Sequence, residues 1–358
     1  MTAPGGLFTL RGRHTSPAWE RVRIVFETQD SDTSIFSDAK PRLGISACLL
    51  GEPVRFDGGH KRDRFLTDTL GRYVEWVPMC PEVECGMPIP RPAIRLVGSD
   101  PGQPSVLERR SGVDHTTQLR DWAEARARRV AALQLDGFVL KKNSPSCGLE
   151  RVRRYDAADS DDAPARDGRG VFTLALLEHA KRIPLTEEGR LSDGCLREDF
   201  LSGIFTHHRL RVALRNPSHE TLLSSHAAHK LLYMAHSPQG PAKLGQRLAG
   251  GRGISIAEMT DEYMRGAMGV MATPTSRGKH ANVLQHVLGF FKKTISPAEK
   301  QEMLTVIDDF ARGTQPLAVP LALFRHYLNR HDVSDWLRAQ VYFEPFPHEI
   351  AQRAARSG

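Results

Sequence analysis

The chain of 358 residues is 40% hydrophobic and 25% charged with no long uncharged apolar run, the composition of a soluble globular protein and not of a membrane-spanning one. Its length favours two domains, and its formal net charge of +7 lies wholly in the second half: residues 206–358 hold 19 Lys and Arg against 12 Asp and Glu, with 11 of the 15 histidines. That asymmetry points to an acidic partner for the second half, with nucleic acid first among candidates and DNA not expected.

Residues 1–40 mix Gly, Ser, Thr, Arg and Asp around one short apolar patch, Val22 to Phe26. They are expected to form a disordered extension and lack the apolar core of a secretory signal. A cytoplasmic location follows, where Cys48, Cys80, Cys85, Cys147 and Cys195 stay reduced. An odd number of reduced cysteines favours ligands or catalysts over disulfides.

Folding is predicted to begin at Pro41. Leu43, Ile45 and Ala47 alternate as a short buried strand that runs into Cys48, and Gly51 and Pro53 break the extension before the Arg55-Phe56-Asp57-Gly58 turn. A short helix over 60–70 and a strand over 73–77 lead to Cys80 in the loop MCPEVECGMPIPR. Leu119, Trp122, Ala123, Val130 and Leu133 make the buried stripe of an amphipathic helix over 117–135. A third strand, 137–141, leads to Cys147 in KNSPSCG. An acidic loop over 156–170, a helix over 171–181 and a last strand at 183–185 follow. This alternation argues for a doubly wound α/β domain over 41–205 with a mostly parallel sheet. From Leu196 the pattern is helical, over 197–214, 217–236, 241–249, 255–271, 277–293, 297–312, 317–330 and 333–343. Ser296 with Glu299 makes a capping box and Gly313 a helix stop. An all-α domain is therefore expected over 218–350, after a linker at 206–217 and before a tail at 351–358.

Three strands that each end in a cysteine place Cys48, Cys80 and Cys147 on one edge of one sheet, where open α/β sheets bind ligands. Three thiolates could hold zinc, hold an iron–sulfur cluster, or serve nothing in common. Zinc sites pair ligands two to four residues apart and add a fourth. Cys80 and Cys85 are five apart and no matching pair exists, which disfavours zinc. A [4Fe-4S] cluster normally takes four cysteines, so three would leave one iron open as a Lewis acid. Glu82, two residues after Cys80, is within reach to act as an acid or base. Ser144 and Ser146 flank Pro145 before Cys147 and are candidates to donate hydrogen bonds or relay a proton. Arg55, Asp57, Arg91 and Lys141 stand near the same strand ends; taken singly, each reads equally well as a turn or surface residue.

The segments SACLLGEPVRFDG, CPEVECGMPIPR and KKNSPSCG resemble the signatures of the thiouracil desulfidase family, in order, across residues 41–205. The resemblance implies a [4Fe-4S] cluster on Cys48, Cys80 and Cys147 with the fourth iron free. It also implies a reaction in which the thiocarbonyl sulfur of a thiolated uracil binds that iron, water replaces it at carbon, and sulfide leaves without net electron transfer. Glu82 matches the family's acidic catalytic residue and Ser144 its serine, with Arg55, Asp57, Lys141 and Ser146 expected around the substrate. Cys85 departs from the family pattern and is expected to be a small core residue. No role is assigned to Cys195.

In the second half, SSHAAHKLLYMAHSP sets His226, His229, Lys230 and His236 on one helix. The run TSRGKHANVLQHVLGFFKK adds Arg277, Lys279, His280, His286, Lys292 and Lys293. No carboxylate or cysteine accompanies these histidines at ligand spacing, which disfavours metal. A surface for phosphates and splayed bases competes with ordinary core and surface roles. These runs, with PLAVPLALFRHYLNRH, QVYF and PFPHEI, resemble the YbgA-type helical domain. Behind a desulfidase-like domain, it makes the chain similar to tRNA 4-thiouridine desulfidases. The resemblance implies tRNA, or else a small thiolated uracil compound, as partner, with RNA contacts expected from His229, Lys230, Arg277, Lys279 and His280. A non-catalytic iron–sulfur RNA-binding protein or sensor is the competing class, and a sensor would ligate every iron.

Overall fold

The computed structural model describes residues 39–130, 132–157, 163–250 and 253–350. The expected N-terminal extension (but for its last two residues), the expected C-terminal tail and part of the acidic loop lie outside them. Leu43 and Ile45 are fully buried in β1 (Arg42–Ser46), which pairs in parallel with β2 (Glu75–Met79). Between them, the helix expected over 60–70 is a π-turn at Phe65–Thr69 followed by a 3-10 turn at Leu70–Arg72. The single-turn α1 (Pro81–Glu84) follows β2, and β3 (Ile94–Val97) and β4 (Ser105–Glu108) form an antiparallel hairpin. The helix α2 (Thr116–Val130) buries Leu119, Ala123, Ala127 and Val130. Then come β5 (Gly137–Leu140), the hairpin of β6 (Val152–Tyr155) and β7 (Ala165–Gly168), α3 (Val171–His179) and β8 (Leu185–Glu187).

One sheet, ordered β2-β1-β5-β8, is wholly parallel. A Cβ on Gly44 would fall 2.2 Å from the Phe138 ring, so glycine is what lets β5 bring that ring against β1. The second sheet, β4-β3-β6-β7, is mixed and stands outside the sequence expectation. Its strands are four residues long, and all but β4 carry arginines where alternation would show. The Arg95 guanidinium lies 4.1 Å from the Tyr155 ring centre, and Arg154 pairs with Asp167 at 2.8 Å.

The helical half comprises α4 (Gly194–Ala213), α5 (His219–His236), α6 (Gly240–Gly250), α7 (Ile256–Met271), α8 (Arg277–Leu288), α9 (Pro297–Arg312), α10 (Ala318–Arg330) and the short α11 (Asp335–Arg338). Ser218, Ser255 and Ser296 each cap a helix with a reciprocal bond from the third residue on, and Gly313 ends α9 at φ 87°. None of these helices is long and apolar enough to cross a membrane.

The linker expected at 206–217 is mostly the second half of α4. Hydrophobic burial explains why the chain stays helical there. Phe200, Leu201, Ile204 and Phe205 share a core with Leu43, Ile45 and Val139, whereas Leu210 belongs to the helical core with Leu231, Tyr233, Val283 and Phe324. Phe346 and Ile350, near the other end of the helical half, also enter the core around β1. An ionic knot ties the same helix to the sheet. Asp136, 0% exposed, meets His207 Nδ1 and His208 Nδ1 at 2.9 Å each and a forked Arg211 at 2.8 Å, and its carboxylate accepts the Arg42 N–H.

Candidate active site

Because β1, β2 and β5 are adjacent and parallel, their carboxyl ends open on one edge, where the chain leaves β1 towards opposite sides of the sheet. Cys48 lies in the 3-10 turn Ala47–Leu50 after β1, Cys80 at the N-cap of α1 after β2, and Cys147 in the loop after β5. All three line one cavity of about 360 Å³. The Cys147 loop is held by the first turn of α3. The N–H groups of Gly170, Val171 and Phe172 donate to the carbonyls of Gly148, Pro145 and Ser146 at 2.8, 3.1 and 2.9 Å, and Thr173 Oγ1 donates to the Cys147 carbonyl at 2.7 Å. A Cβ on Gly170 would stand 2.5 Å from the Ser146 carbonyl group, so the close approach requires glycine.

Burial pushes the Cys48 thiol up to about 11, and its neighbour Cys80 adds to the rise. Burial raises Cys147 and Cys80 as well. Such thiols stay protonated at neutral pH until a metal displaces their protons. Five cationic side chains, Arg55, Lys61, Arg91, Lys141 and Lys142, line the cavity against the single carboxylate of Glu82. That surplus suits a site that becomes anionic when its thiols ionise. Among the described residues, the one trio of His, Cys, Asp or Glu whose ligand atoms all approach within 4.8 Å is Glu124, Glu178 and His179. The three sulfurs are thus spread wider than the roughly 3.8 Å that Zn–S bonds of about 2.3 Å impose around one tetrahedral zinc.

Glu82 is fixed from two sides. Its Oε2 accepts from Arg91 Nε at 2.9 Å and Nη2 at 2.5 Å, and its Oε1 accepts from Ser146 Oγ at 2.8 Å. Arg91 also donates to the carbonyls of Val54 and Pro88, so it braces the cavity wall as it orients the carboxylate. Ser144 Oγ accepts the N–H groups of Ser146 and Cys147 at 3.3 and 3.2 Å and lies 2.9 Å from Ser146 Oγ. The serine that touches Glu82 is therefore Ser146, whereas the sequence put Ser144 in the catalytic place and Ser146 with the substrate. Lys141 lines the cavity but spends its ammonium on Glu188. Arg55 lines it too. Asp57 does not: it accepts the Gly59 N–H at 3.1 Å and faces Arg55 at 3.5 Å, the work of a turn residue. Cys85 is also outside the cavity lining; its Sγ lies 3.2 Å from the Glu82 carbonyl and it packs on the core under α2, as expected.

Of the residues expected to contact RNA, His229 is buried, Lys230, Lys279 and His280 are half-buried and Arg277 is exposed. His229, 4% exposed, is bonded to the Ser225 carbonyl at 2.8 Å and stacked on Tyr233, a core histidine. Its neighbour Lys230 is half-buried, its ammonium 6.0 Å from the Trp336 ring centre. Lys279 Nζ caps the carbonyls of His236 and Pro274, and Arg277 Nη1 reaches those of Phe310 and Gln315. His280 stacks on Tyr342 and meets its hydroxyl at 3.1 Å, and burial lowers its pKa to about 4. Other exposed cations of the helical half include Lys243, Arg247, Lys292, Lys293, Lys300 and Arg330.

Residues 43–188 match the family described as 2-thiouracil desulfurase, and residues 230–347 match a family described as a protein of unknown function, DUF1722. The chain is 33% identical over 152 residues to the uncharacterized protein YbgA of Escherichia coli (strain K12), covering 42% of this chain and 89% of that one. Among solved structures, a [4Fe-4S]-dependent thiouracil desulfidase, TudS, is 32% identical with a TM-score of 0.35, covering 42% of this chain and 93% of its own.

Proposed function

From the premise that the chain belongs to the YbgA family and carries a 2-thiouracil desulfurase-family segment ahead of its DUF1722 segment, we propose that it removes sulfur from thiolated uracil with the help of a [4Fe-4S] cluster. The observation that carries this is the meeting of Cys48, Cys80, Cys147 and Glu82 in one basic cavity. The donor set fits the group: three thiols from three strand ends, Cys48 and Cys147 buried and Cys80 half-buried, spaced too widely for zinc, with cations around them. A cluster held by Cys48, Cys80 and Cys147 supplies an iron free of protein thiolate, a Lewis acid for the thiocarbonyl sulfur.

The chain's own residues manage the protons. Replacing C=S by C=O consumes one water and releases sulfide, with no electrons exchanged. Glu82 Oε1 takes a proton from the attacking water and returns it to the departing sulfide, while Arg91 keeps Oε2 in place. Ser144 Oγ already accepts two N–H groups, so its own proton points to Ser146 Oγ, which in turn donates to Glu82. The relay thus runs towards the carboxylate. Cys85 has no part in it: Cys85→Ser is expected to leave iron per chain unchanged, and loss of about one iron atom would make Cys85 a ligand after all.

The finer reading is that the thiolated uridine belongs to tRNA. It is supported by the helical half's excess of 19 basic over 12 acidic residues, which gives a phosphate backbone a sequence-independent dock. A base stacked within the tRNA would be turned out to reach the cavity. The test is mass analysis of nucleosides after incubating 4-thiouridine-containing tRNA with the cluster-reconstituted full chain. Conversion to uridine with release of sulfide is expected. Conversion of free thiouracil alone would confine the enzyme to small substrates, and conversion of neither would end the desulfidase proposal.

A further inference from the structure

Two large apolar side chains, one lining the cavity and one beside the turn that carries it, are partly exposed. Phe56, which lines the cavity, is 38% exposed, and Ile89 is 42% exposed. They face one turn: a Cβ placed on Gly58 would stand 4.0 Å from Ile89 Cγ2. The segments carrying them are tied by the Arg91 N–H, which donates to the Phe56 carbonyl at 2.9 Å. The Arg55 guanidinium lies 5.3 Å from the Phe56 ring centre, so one flat aromatic surface and one cation sit together at the entrance. Asp57, next along the turn, holds the backbone of Gly59 and fixes the turn's shape without entering the cavity. Phe56 belongs to none of the three buried cores, so core packing does not account for its place beside the cavity.

We infer that Phe56, backed by Ile89, is the platform on which the pyrimidine ring of the thiolated base stacks before its thiocarbonyl reaches the cysteines. This rests on the desulfidase reading and adds a specificity-determining residue to it. The cavity of about 360 Å³ leaves room for a single six-membered ring beside an inorganic core. A platform there selects a flat, uncharged heterocycle over a thioamide or thioester of equal reactivity. Arg55 over the same ring polarises the exposed face and offers a donor to a pyrimidine carbonyl. Arg91 connects the platform to chemistry, since the residue that pins Phe56 through its backbone also orients Glu82 through its side chain.

Stacking on an aromatic side chain is worth about 1–3 kcal/mol per base, or roughly fivefold to 150-fold in affinity. The test uses the cluster-loaded full chain and free 4-thiouracil. Phe56→Ala is expected to raise KM at least fivefold with the loss falling on KM and not kcat, and Phe56→Tyr to restore it. A second readout is independent of turnover: in Phe56→Trp, titration with 4-thiouracil quenches the fluorescence added by the new tryptophan. A KM change under fivefold, a loss confined to kcat, or no quenching of that signal would overturn the platform. Absence of any sulfide release by the wild-type enzyme would instead strike the desulfidase reading, leaving the Phe56→Trp quenching to report on base binding alone.

Discussion

Cys147→Ala is expected to give colourless protein that holds no stable cluster and releases no sulfide, and Cys48→Ala and Cys80→Ala should behave alike. Each thiol sits on a separate strand end of one sheet and none has a neighbouring cysteine in the cavity to replace it. Glu82→Gln should separate chemistry from assembly. Glutamine keeps one acceptor oxygen for the Arg91 fork, and the Ser146 hydroxyl can turn to accept its amide N–H, so iron content and the thiolate-to-iron absorption should persist. It cannot accept a proton, so turnover should fall by about 100-fold or more. Iron analysis, visible absorption and sulfide release on the same preparations check both halves. Full activity in the glutamine variant would remove Glu82 from the mechanism, and a coloured, active Cys147→Ala would remove the three-thiol site altogether.

The second large effect concerns the fold. Asp136→Asn is expected to cost about 3–5 kcal/mol, the range for breaking a buried ion pair from one side, because Arg211 would lose its anionic partner and two histidines would face an amide. Burial alone would raise the Asp136 pKa, but the hydrogen bonds from Arg211, His207 and His208 outweigh it and hold the carboxyl far below its usual range. A carboxyl depressed on folding stabilises the protein above its unfolded pKa of about 4 and loses that contribution as the pH falls below it. The gap between wild type and variant should therefore be full at pH 7 and narrow below pH 4. Urea unfolding followed by circular dichroism at both pH values measures it. A gap under about 1 kcal/mol at pH 7 would mean the knot contributes little net stability.

What could be read from the residues depended on range. Helices α5 to α10 announced themselves locally: Ser296 and Glu299 cap, Gly313 stops, and apolar spacing fills the middle. The strands β1, β2 and β5 were legible from short apolar runs ending in cysteine. The second sheet was not, because Ile94–Val97 and Val152–Tyr155 take their identity from each other across the chain and bear arginines whose charges are neutralised only on pairing. Asp136 carried no local signal of its role, since His207, His208 and Arg211 stand more than seventy residues away. Within the site, residue types near Cys80 and Cys147 named the participants, but the order of contact between Ser144, Ser146 and Glu82 is set by the turn that α3 imposes on the cysteine loop. Which cations of the helical half face water was not legible for a similar reason: cations and histidines at helical spacing look alike whether they cap carbonyls or face solvent.

Because α4 runs unbroken from one half into the other, and Phe346 and Ile350 return to the core around β1, a break in the coding sequence near residue 217 would give two fragments that each bear an oily scar. Co-expressed, they should find each other and elute together; made alone, each should precipitate.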